Sequence, residues 1–197
     1  GDERWGTGAV LGDFDADGDL DLYCVNYLAF DPGAPPPRVR HKTVEVMGGP
    51  HGLPPQDDVY YENTGGGIFR DRTLASGCGS VGPSYGLNAI AADLDNDGHT
   101  DIYVGNDSMA NFLFRGHGDG TFEEIGKQAG AASNIDGSGQ ATMGIAIADV
   151  NGNGYPDLFS TNFANDTNTL HLNTGRSFFD DHTRQWGLGI ISRPFLG

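Results

Sequence analysis

The chain has 197 residues, 32 of them glycine, and its 27 acidic and 11 basic side chains give a net charge of −16. This charge argues against a surface for nucleic acid or anionic membranes, and no apolar run approaches the roughly 20 residues that span a bilayer. The glycine content and the absence of helix-period segments favour a turn-rich, all-β fold.

A nine-residue acidic motif occurs three times, with oxygen-bearing side chains at positions 1, 3, 5 and 9 and glycine at position 6. Glycine lets the backbone reverse without a Cβ clash, so alternate side chains converge. Because Ca²⁺ takes about six to eight oxygen ligands, we predict three calcium sites, one per copy, in which position 7 contributes its backbone carbonyl. The predicted ligands are Asp13, Asp15, Asp17, Asp19 and Asp21 in the first copy, Asp93, Asp95, Asp97, His99 and Asp101 in the second, and Asp149, Asn151, Asn153, Tyr155 and Asp157 in the third.

An EF-hand is the main structural alternative for this motif. It requires a helix on each side of the loop and a glutamate at position 12, but position 12 is Cys24, Val104 and Ser160 in the three copies. The residues after each loop are typical of strands, so we predict calcium loops within β-hairpins. A solvated Asx turn without metal is the other interpretation. We expect the third copy to bind calcium most weakly, because asparagine replaces aspartate at two positions.

Aligned on these loops, the chain repeats as a unit of four strands. A glycine-rich strand precedes each loop, a second strand ends in asparagine, and two more strands flank a glycine-rich turn. The predicted units are residues 6–77, 86–130 and 142–187, and residues 188–197 are expected to lead into a further strand. Four antiparallel strands recurring in this way are typical of β-propeller blades. Phe69, Phe122 and Phe178 recur once per unit and are predicted to form the core between blades.

These features resemble the FG-GAP/VCBS repeats of integrin-α-like propellers, and most of all the secreted multi-repeat proteins related to cartilage acidic protein. The resemblance rests on the three loops, on the strand openings Asp21-Leu-Tyr and Asp101-Ile-Tyr-Val, and on the turn Gly118-Asp-Gly120-Thr-Phe122. It implies an extracellular or periplasmic, calcium-stabilised propeller used for recognition in adhesion or matrix contact rather than for catalysis. Relatives often carry a cysteine in the long insert, whereas this chain has Met47-Gly48 there.

The insert, residues 27–57, separates the second and third strands of the first unit and carries a basic cluster at Arg38, Arg40, His41 and Lys42. In a four-stranded meander, the connection between strands 2 and 3 lies on the face opposite the connection between strands 1 and 2. We therefore expect the insert on the face opposite the calcium loops, either as a contact surface for a protein or glycan partner or as a solvated cover.

Three units give about 12 strands, whereas propellers close with roughly 4–8 blades. We therefore expect either further blades in a longer polypeptide, for example to a total of seven, or assembly with copies of the same chain.

Catalysis is not expected. Gly82-Pro-Ser84-Tyr-Gly86 matches the nucleophile elbow of α/β-hydrolases, but that motif requires a following helix. The alternative function is a propeller of a carbohydrate-binding or carbohydrate-active protein, a lyase or glycosidase, which needs a carboxylate pair in the channel. Nearly every aspartate that could serve is already assigned to a loop. The two cysteines, Cys24 and Cys78, are too few to define a disulfide framework, and Asn106 and Asn165 begin glycosylation sequons.

Overall fold

Three four-stranded sheets and one separate hairpin form the structure, a computed structural model that describes residues 2–41 and 43–193. The strands, in chain order, are β1 (Gly6–Gly12), β2 (Asp21–Asn26), β3 (Arg38–His41), β4 (Val44–Met47), β5 (Val59–Asn63), β6 (Phe69–Asp71), β7 (Gly86–Ala92), β8 (Asp101–Asn106), β9 (Phe112–Gly116), β10 (Phe122–Glu124), β11 (Thr142–Ala148), β12 (Asp157–Asn162), β13 (Thr169–Asn173) and β14 (Phe179–Asp181). The sheets have the orders β1-β2-β5-β6, β7-β8-β9-β10 and β11-β12-β13-β14, and we call them blades 1, 2 and 3. All neighbouring strands are antiparallel, which confirms the prediction of four-stranded propeller blades.

Short helical turns follow the fourth strand of each blade: a 3-10 turn (Cys78–Val81), α1 (Gly126–Ala129) and α2 (Gly189–Ser192). In the segment predicted to lead into a further strand, residues 188–197, residues 189–192 form α2 and residues 194–197 lie outside the described part of the chain, so this stays a prediction. Among the described residues, no helix has the length and apolar character needed to cross a membrane.

The first strands of neighbouring blades lie side by side, and glycine allows the close approach. A Cβ atom on Gly86 in β7 would lie 2.4 Å from Cγ1 of Val25 in blade 1. Protein interiors are close-packed, so a side chain at this position would push the two blades apart. The glycine content of these strands is therefore a packing requirement as well as a turn signal.

Two apolar cores fill the spaces between blades. In the first, Phe122 of blade 2 packs against Phe14 and Tyr60 of blade 1, with ring centroids 5.6 and 5.5 Å apart and edge-to-face geometry, an arrangement that aromatic pairs favour. In the second, Leu94 and Tyr103 of blade 2 belong to the same buried cluster as residues of blade 3. Blade 2 therefore contributes to both cores, whereas blade 1 contributes to the first and blade 3 to the second.

The prediction that Phe69, Phe122 and Phe178 share an inter-blade core position is correct only for Phe122. Strand pairing makes Phe179 the equivalent of Phe122, and Phe179 is 5% exposed whereas Phe178 is 49% exposed. Phe69 does occupy the equivalent position in blade 1 but is 44% exposed, because no blade precedes it among the described residues.

The base of the insert is held against blades 1 and 2. The N–H of Ala29 donates to the carbonyl of Pro54 at 2.8 Å, and the hydroxyl of Tyr85 donates to the carbonyl of Leu53 at 2.8 Å. The rings of Trp5 and Tyr27 pack edge to face, with centroids 6.3 Å apart. The insert therefore leaves the sheet through a fixed base.

Beyond this base, β3 and β4 form a short hairpin, a structure that the sequence did not predict for the insert. In the order β1-β2-β5-β6, the β1–β2 and β2–β5 connections leave opposite ends of β2. The insert thus lies at the end of blade 1 opposite residues 13–21.

Both cysteines are free thiols in this structure, and Cys78 is buried. Burial raises the pKa of Cys78 to about 12, which keeps this thiol protonated and unreactive at neutral pH.

Candidate metal sites

The three acidic motifs form the connections between the first and second strands of blades 1, 2 and 3. We call residues 13–21, 93–101 and 149–157 loops 1, 2 and 3. All three loops reverse direction in the same way, through left-handed residues at positions 4 and 6. Position 4 is Ala16 (φ 59°), Asn96 (φ 60°) and Gly152 (φ 76°), and position 6 is Gly18 (φ 93°), Gly98 (φ 90°) and Gly154 (φ 88°).

Loops 1 and 2 each bring three carboxylates together. Each of Asp13, Asp15 and Asp17 offers an oxygen within 4.8 Å of those of the other two, and Asp93, Asp95 and Asp101 do the same. Oxygen clusters of this kind suit hard cations such as Ca²⁺. These two loops could therefore hold a metal ion.

The electrostatics of these clusters favour a bound cation. Burial, and next to it the negative charge of Asp21, raises the pKa of Asp15. Burial also raises the pKa of Asp101 to about 7, against hydrogen bonds from the backbone of Gly116 and Leu94 that lower it. An adjacent cation stabilises an ionised carboxylate and would offset these penalties.

Asp13 provides a further test of whether a cation fits. Its Oδ2 accepts a hydrogen bond from the N–H of Gly18 at 3.2 Å, but its Oδ1 is buried without a hydrogen-bond partner. A buried carboxylate oxygen without a partner is costly. A metal ion at the centre of loop 1 would supply that partner, so the donor set fits a calcium ion.

The aspartates at position 9 have a structural role that sequence reasoning missed. Asp21, Asp101 and Asp157 are fully buried, and the two oxygens of each accept one N–H from loop position 2 and one from the third strand. The donors at position 2 are Phe14 at 3.2 Å, Leu94 at 2.9 Å and Val150 at 2.8 Å, and those of the third strand are Asn63 at 2.8 Å, Gly116 at 2.9 Å and Asn173 at 2.7 Å. These aspartates therefore tie each loop to the sheet.

Loop 3 has the same backbone shape but fewer charges. Its Asp149 accepts hydrogen bonds from the N–H groups of Gly152 and Gly154, both at 2.8 Å, and these bonds, that of Gly154 foremost, lower the pKa of Asp149. Asn151 and Asn153 occupy positions 3 and 5, so the loop presents amide oxygens where loops 1 and 2 present carboxylates.

The residues at position 7 contact position 5 through their N–H groups. Asp19 donates to Asp17 at 2.8 Å, His99 to Asp97 at 2.8 Å, and Tyr155 to Asn153 at 2.9 Å. These bonds fix the position-5 side chain against the loop. Ligation by the carbonyls of position 7 stays a prediction.

The other motifs noted in the sequence lie away from these loops. Ser84 is buried, pairs with Gln56 through its backbone, and leads into a strand, so it lacks the context of a nucleophile elbow. Asn106 is buried and donates to the carbonyl of Ala110 at 2.7 Å, which makes it inaccessible in the folded chain, whereas Asn165 is exposed.

Comparison with known proteins agrees with this architecture. Cartilage acidic protein 1 of Xenopus tropicalis is 31% identical over 115 residues, which cover 58% of this chain and 17% of the relative. The human protein of the same name is 31% identical over 106 residues, covering 54% of this chain and 15% of the relative. The chain thus spans about a sixth of the length of the curated relatives it matches. The profile of the FG-GAP-like repeat matches residues 46–104 and 93–160, more than half of the sequence, and the chain belongs to this repeat family.

Proposed function

We propose that this protein is a calcium-stabilised, extracellular β-propeller module that binds a partner in adhesion or matrix contact and carries no catalytic site. The observation that carries the proposal is the carboxylate cluster of loop 1, in which Asp13 keeps a buried oxygen without a partner. The FG-GAP-like repeats and the relatives named cartilage acidic protein 1 support an extracellular, matrix-type setting.

Calcium would act here as a structural ion. It would neutralise the clustered carboxylates and hold the hairpin bend of each blade. Loop 1 also contacts the next blade, because the N–H of Gly120 donates to the carbonyl of Phe14 at 3.1 Å. With free Ca²⁺ at about 100 times its Kd, each site present only in the folded state adds about 2.7 kcal/mol to the free energy of unfolding.

Calorimetric titration with Ca²⁺ and thermal melting with and without EDTA test this role. We expect EDTA to lower the Tm of the wild-type chain, and Asp13→Asn and Asp93→Asn each to remove one binding event. Asp180→Asn, at an exposed position of blade 3, is the matched control and should behave as wild type. Unchanged melting in EDTA together with no heat of binding would contradict the proposal.

The insert hairpin is the best-supported recognition surface. Arg38 and Arg40 are exposed on it, and its strand pairing places Val39, Val44 and Val46, all exposed, on one face. Arg38 and Arg40 lie on the opposite face, where Arg38 pairs with Glu45 at 3.9 Å. A face with two arginines on a chain of net charge −16 complements an acidic partner. We infer that an acidic glycan binds here, at the end of the blade opposite the calcium loops.

An array of sulfated and carboxylated glycans, read at two salt concentrations, tests this surface. We expect salt-sensitive binding that is lost in the double variant Arg38→Ser/Arg40→Ser and retained in Arg70→Ser, an exposed arginine of blade 1. Binding that survives the double variant would exclude the hairpin, and binding to no glycan would favour a protein partner. Incubation of any bound polysaccharide with the chain should release no products.

Further blades are expected to cover the open faces of blades 1 and 3. Phe69 and Leu11 of blade 1 are exposed, as is Val150 of blade 3, although Phe122 and Phe179, the equivalents of Phe69, are buried between blades. We propose that other FG-GAP blades, from a longer polypeptide or a second copy, occupy these faces. Light scattering of the isolated chain distinguishes the two, because only the second produces oligomers.

A further inference from the structure

A ring of hydrogen bonds links loops 2 and 3. From loop 2, Nδ2 of Asn96 donates to the carbonyl of Gly154 in loop 3 at 2.9 Å. In the return direction, Nδ2 of Asn173 in blade 3 donates to the carbonyl of Leu94 in loop 2 at 2.7 Å. Leu94 and Asn96 are positions 2 and 4 of the same loop, so loop 2 contacts blade 3 at two points of this ring.

Asn153 completes the ring within blade 3. The peptide group between Gly154 and Tyr155 accepts from Asn96 through its carbonyl, and its N–H donates to Oδ1 of Asn153 at 2.9 Å. Nδ2 of Asn153 in turn donates to the carbonyl of Asn173 at 2.8 Å. The side chain at position 5 of loop 3 is therefore oriented by contacts that originate in loop 2.

This arrangement gives the asparagine at position 5 a specific role. Loops 1 and 2 have Asp17 and Asp97 at this position, and an ionised carboxylate has no N–H to donate. An aspartate in place of Asn153 would bring its negative charge against the carbonyl of Asn173. The amide thus serves the contact between the blades, although it contributes less charge to a cation than a carboxylate does.

Loop 1 lacks an equivalent link to loop 2. Position 4 of loop 1 is Ala16, which has no polar side chain, and blade 2 has Gly116 where blade 3 has Asn173. Loops 2 and 3 are therefore joined by amide side chains, whereas loop 1 and blade 2 are joined through the backbone bond from Gly120 to Phe14.

From this difference, we infer that loops 2 and 3 form one coupled calcium-binding unit, in which Asn96, Asn153 and Asn173 are positioning residues. The inference rests on the proposed function, because it requires that the loops bind calcium. Cation binding to loop 2 would order Leu94 and Asn96, and the ring would then hold Asn153 and the Gly154 peptide in place before loop 3 is filled. By linkage, loop 3 affects the affinity of loop 2 by the same factor.

Calcium titration by calorimetry in an Asp13→Asn background, where loop 1 is disabled, measures the coupling. Adding Asp93→Asn to disable loop 2 should weaken the remaining site by about fivefold or more, the lower range of measured site couplings. The matched measurement uses an Asp149→Asn background, in which Asp93→Asn should leave the affinity of loop 1 within about twofold. An unchanged affinity of loop 3 in the first case would overturn the inference.

Two substitutions distinguish an effect of the hydrogen-bond ring from an effect of added negative charge. Asn151→Asp and Asn153→Asp each add one carboxylate to loop 3, so charge alone predicts that both strengthen calcium binding. The ring predicts that Asn151→Asp strengthens binding and stays sensitive to Asp93→Asn, whereas Asn153→Asp loses that sensitivity. If Asn153→Asp stays as sensitive to loop 2 as wild type, the ring does not carry the coupling.

Asn96→Gly provides a milder test in case Asn153→Asp fails to fold. Position 96 is exposed and left-handed, so glycine removes the amide without backbone strain, and coupling should fall. Ala16→Gly at the same position of loop 1 is the control and should leave coupling unchanged. No calcium binding in any background would reject the proposed function, whereas binding with independent sites would reject only this inference.

Discussion

Blades 1 and 2 build the same junction with different chemistry. In both, a side chain just before the third strand accepts a hydrogen bond from the N–H at the end of the second strand: Asp58 accepts from Asn26 at 2.7 Å, and Asn111 accepts from Asn106 at 2.8 Å. Blade 3 has the same chemistry as blade 2, because the side chain of Asn168 accepts from the N–H of Asn162. The acceptor is therefore an asparagine amide in blades 2 and 3 and an aspartate carboxyl group in blade 1.

The acid changes how the junction responds to pH. Asp58 also accepts a hydrogen bond from the hydroxyl of Tyr23 at 3.0 Å, but burial raises its pKa to about 7, with Asp57 adding to the increase and Arg4 opposing it. Because this pKa exceeds its unfolded value, the contribution of Asp58 to stability is fully present below about pH 4 and is lost as the pH rises through about 7. Asn111 makes the equivalent bond without a titrating group.

The largest effect is expected from Asp58→Asn, which gives blade 1 the chemistry of blade 2. The free energy of unfolding at pH 8 should rise by up to about 4 kcal/mol, since each pKa unit of difference is worth about 1.4 kcal/mol. The increase should disappear near pH 4. Urea unfolding at both pH values measures this change in the free energy of unfolding, with Asp180→Asn as the surface control. A gain of equal size at both pH values would mean that protonation of Asp58 is not the cause.

The reverse exchange, Asn111→Asp, should destabilise the chain by about 3 kcal/mol at pH 8, the cost of leaving a buried charge imperfectly paired. Because a protonated acid can replace the amide, much of this loss should be recovered at pH 5. Asn111→Ala is the control, because it leaves the N–H of Asn106 without a partner at every pH. If Asn111→Asp and Asn111→Ala show the same pH dependence, protonation of the introduced acid does not cause the recovery.

The smallest effect concerns position 4 of the loops. Ala16 has φ 59°, a left-handed conformation that costs a residue with a Cβ roughly 1–2 kcal/mol. Ala16→Gly should therefore raise the free energy of unfolding in EDTA by about 1 kcal/mol, after the entropy of glycine is deducted. Asn96→Gly at the same position should bring no gain, because it removes the bond to Gly154. Thermal melts of the two variants compare them directly.

Local features of the sequence were sufficient to predict the loops and the blades. The motif that begins at Asp93 contains its own turn glycine and its own acidic side chains, and the β-rich segment Ile102 to Val104 follows directly after Asp101. Patterns of this kind involve residues close together in the sequence, so they can be recognised without knowledge of the packing.

Features that depend on the packing of blades could not be predicted. Alignment on the loops predicts Phe178 in the core, but the connection between the second and third strands is one residue longer in blade 3, from Asn162 to Thr169, than in blade 2, from Asn106 to Phe112, so the equivalent position is Phe179. Two adjacent phenylalanines conceal such a shift. The bond from Asn96 to Gly154 joins residues 58 positions apart, and no local pattern indicates it.

The base of the insert has a consequence for detecting movement between blades. The bond from Tyr85 to Leu53 joins the lead-in of blade 2 to the insert of blade 1, so a separation of these two blades must also loosen the base. The indole of Trp5 contacts Tyr27 and Phe30 in that base. In a Trp186→Phe background, the fluorescence of Trp5 should therefore report separation of blades 1 and 2.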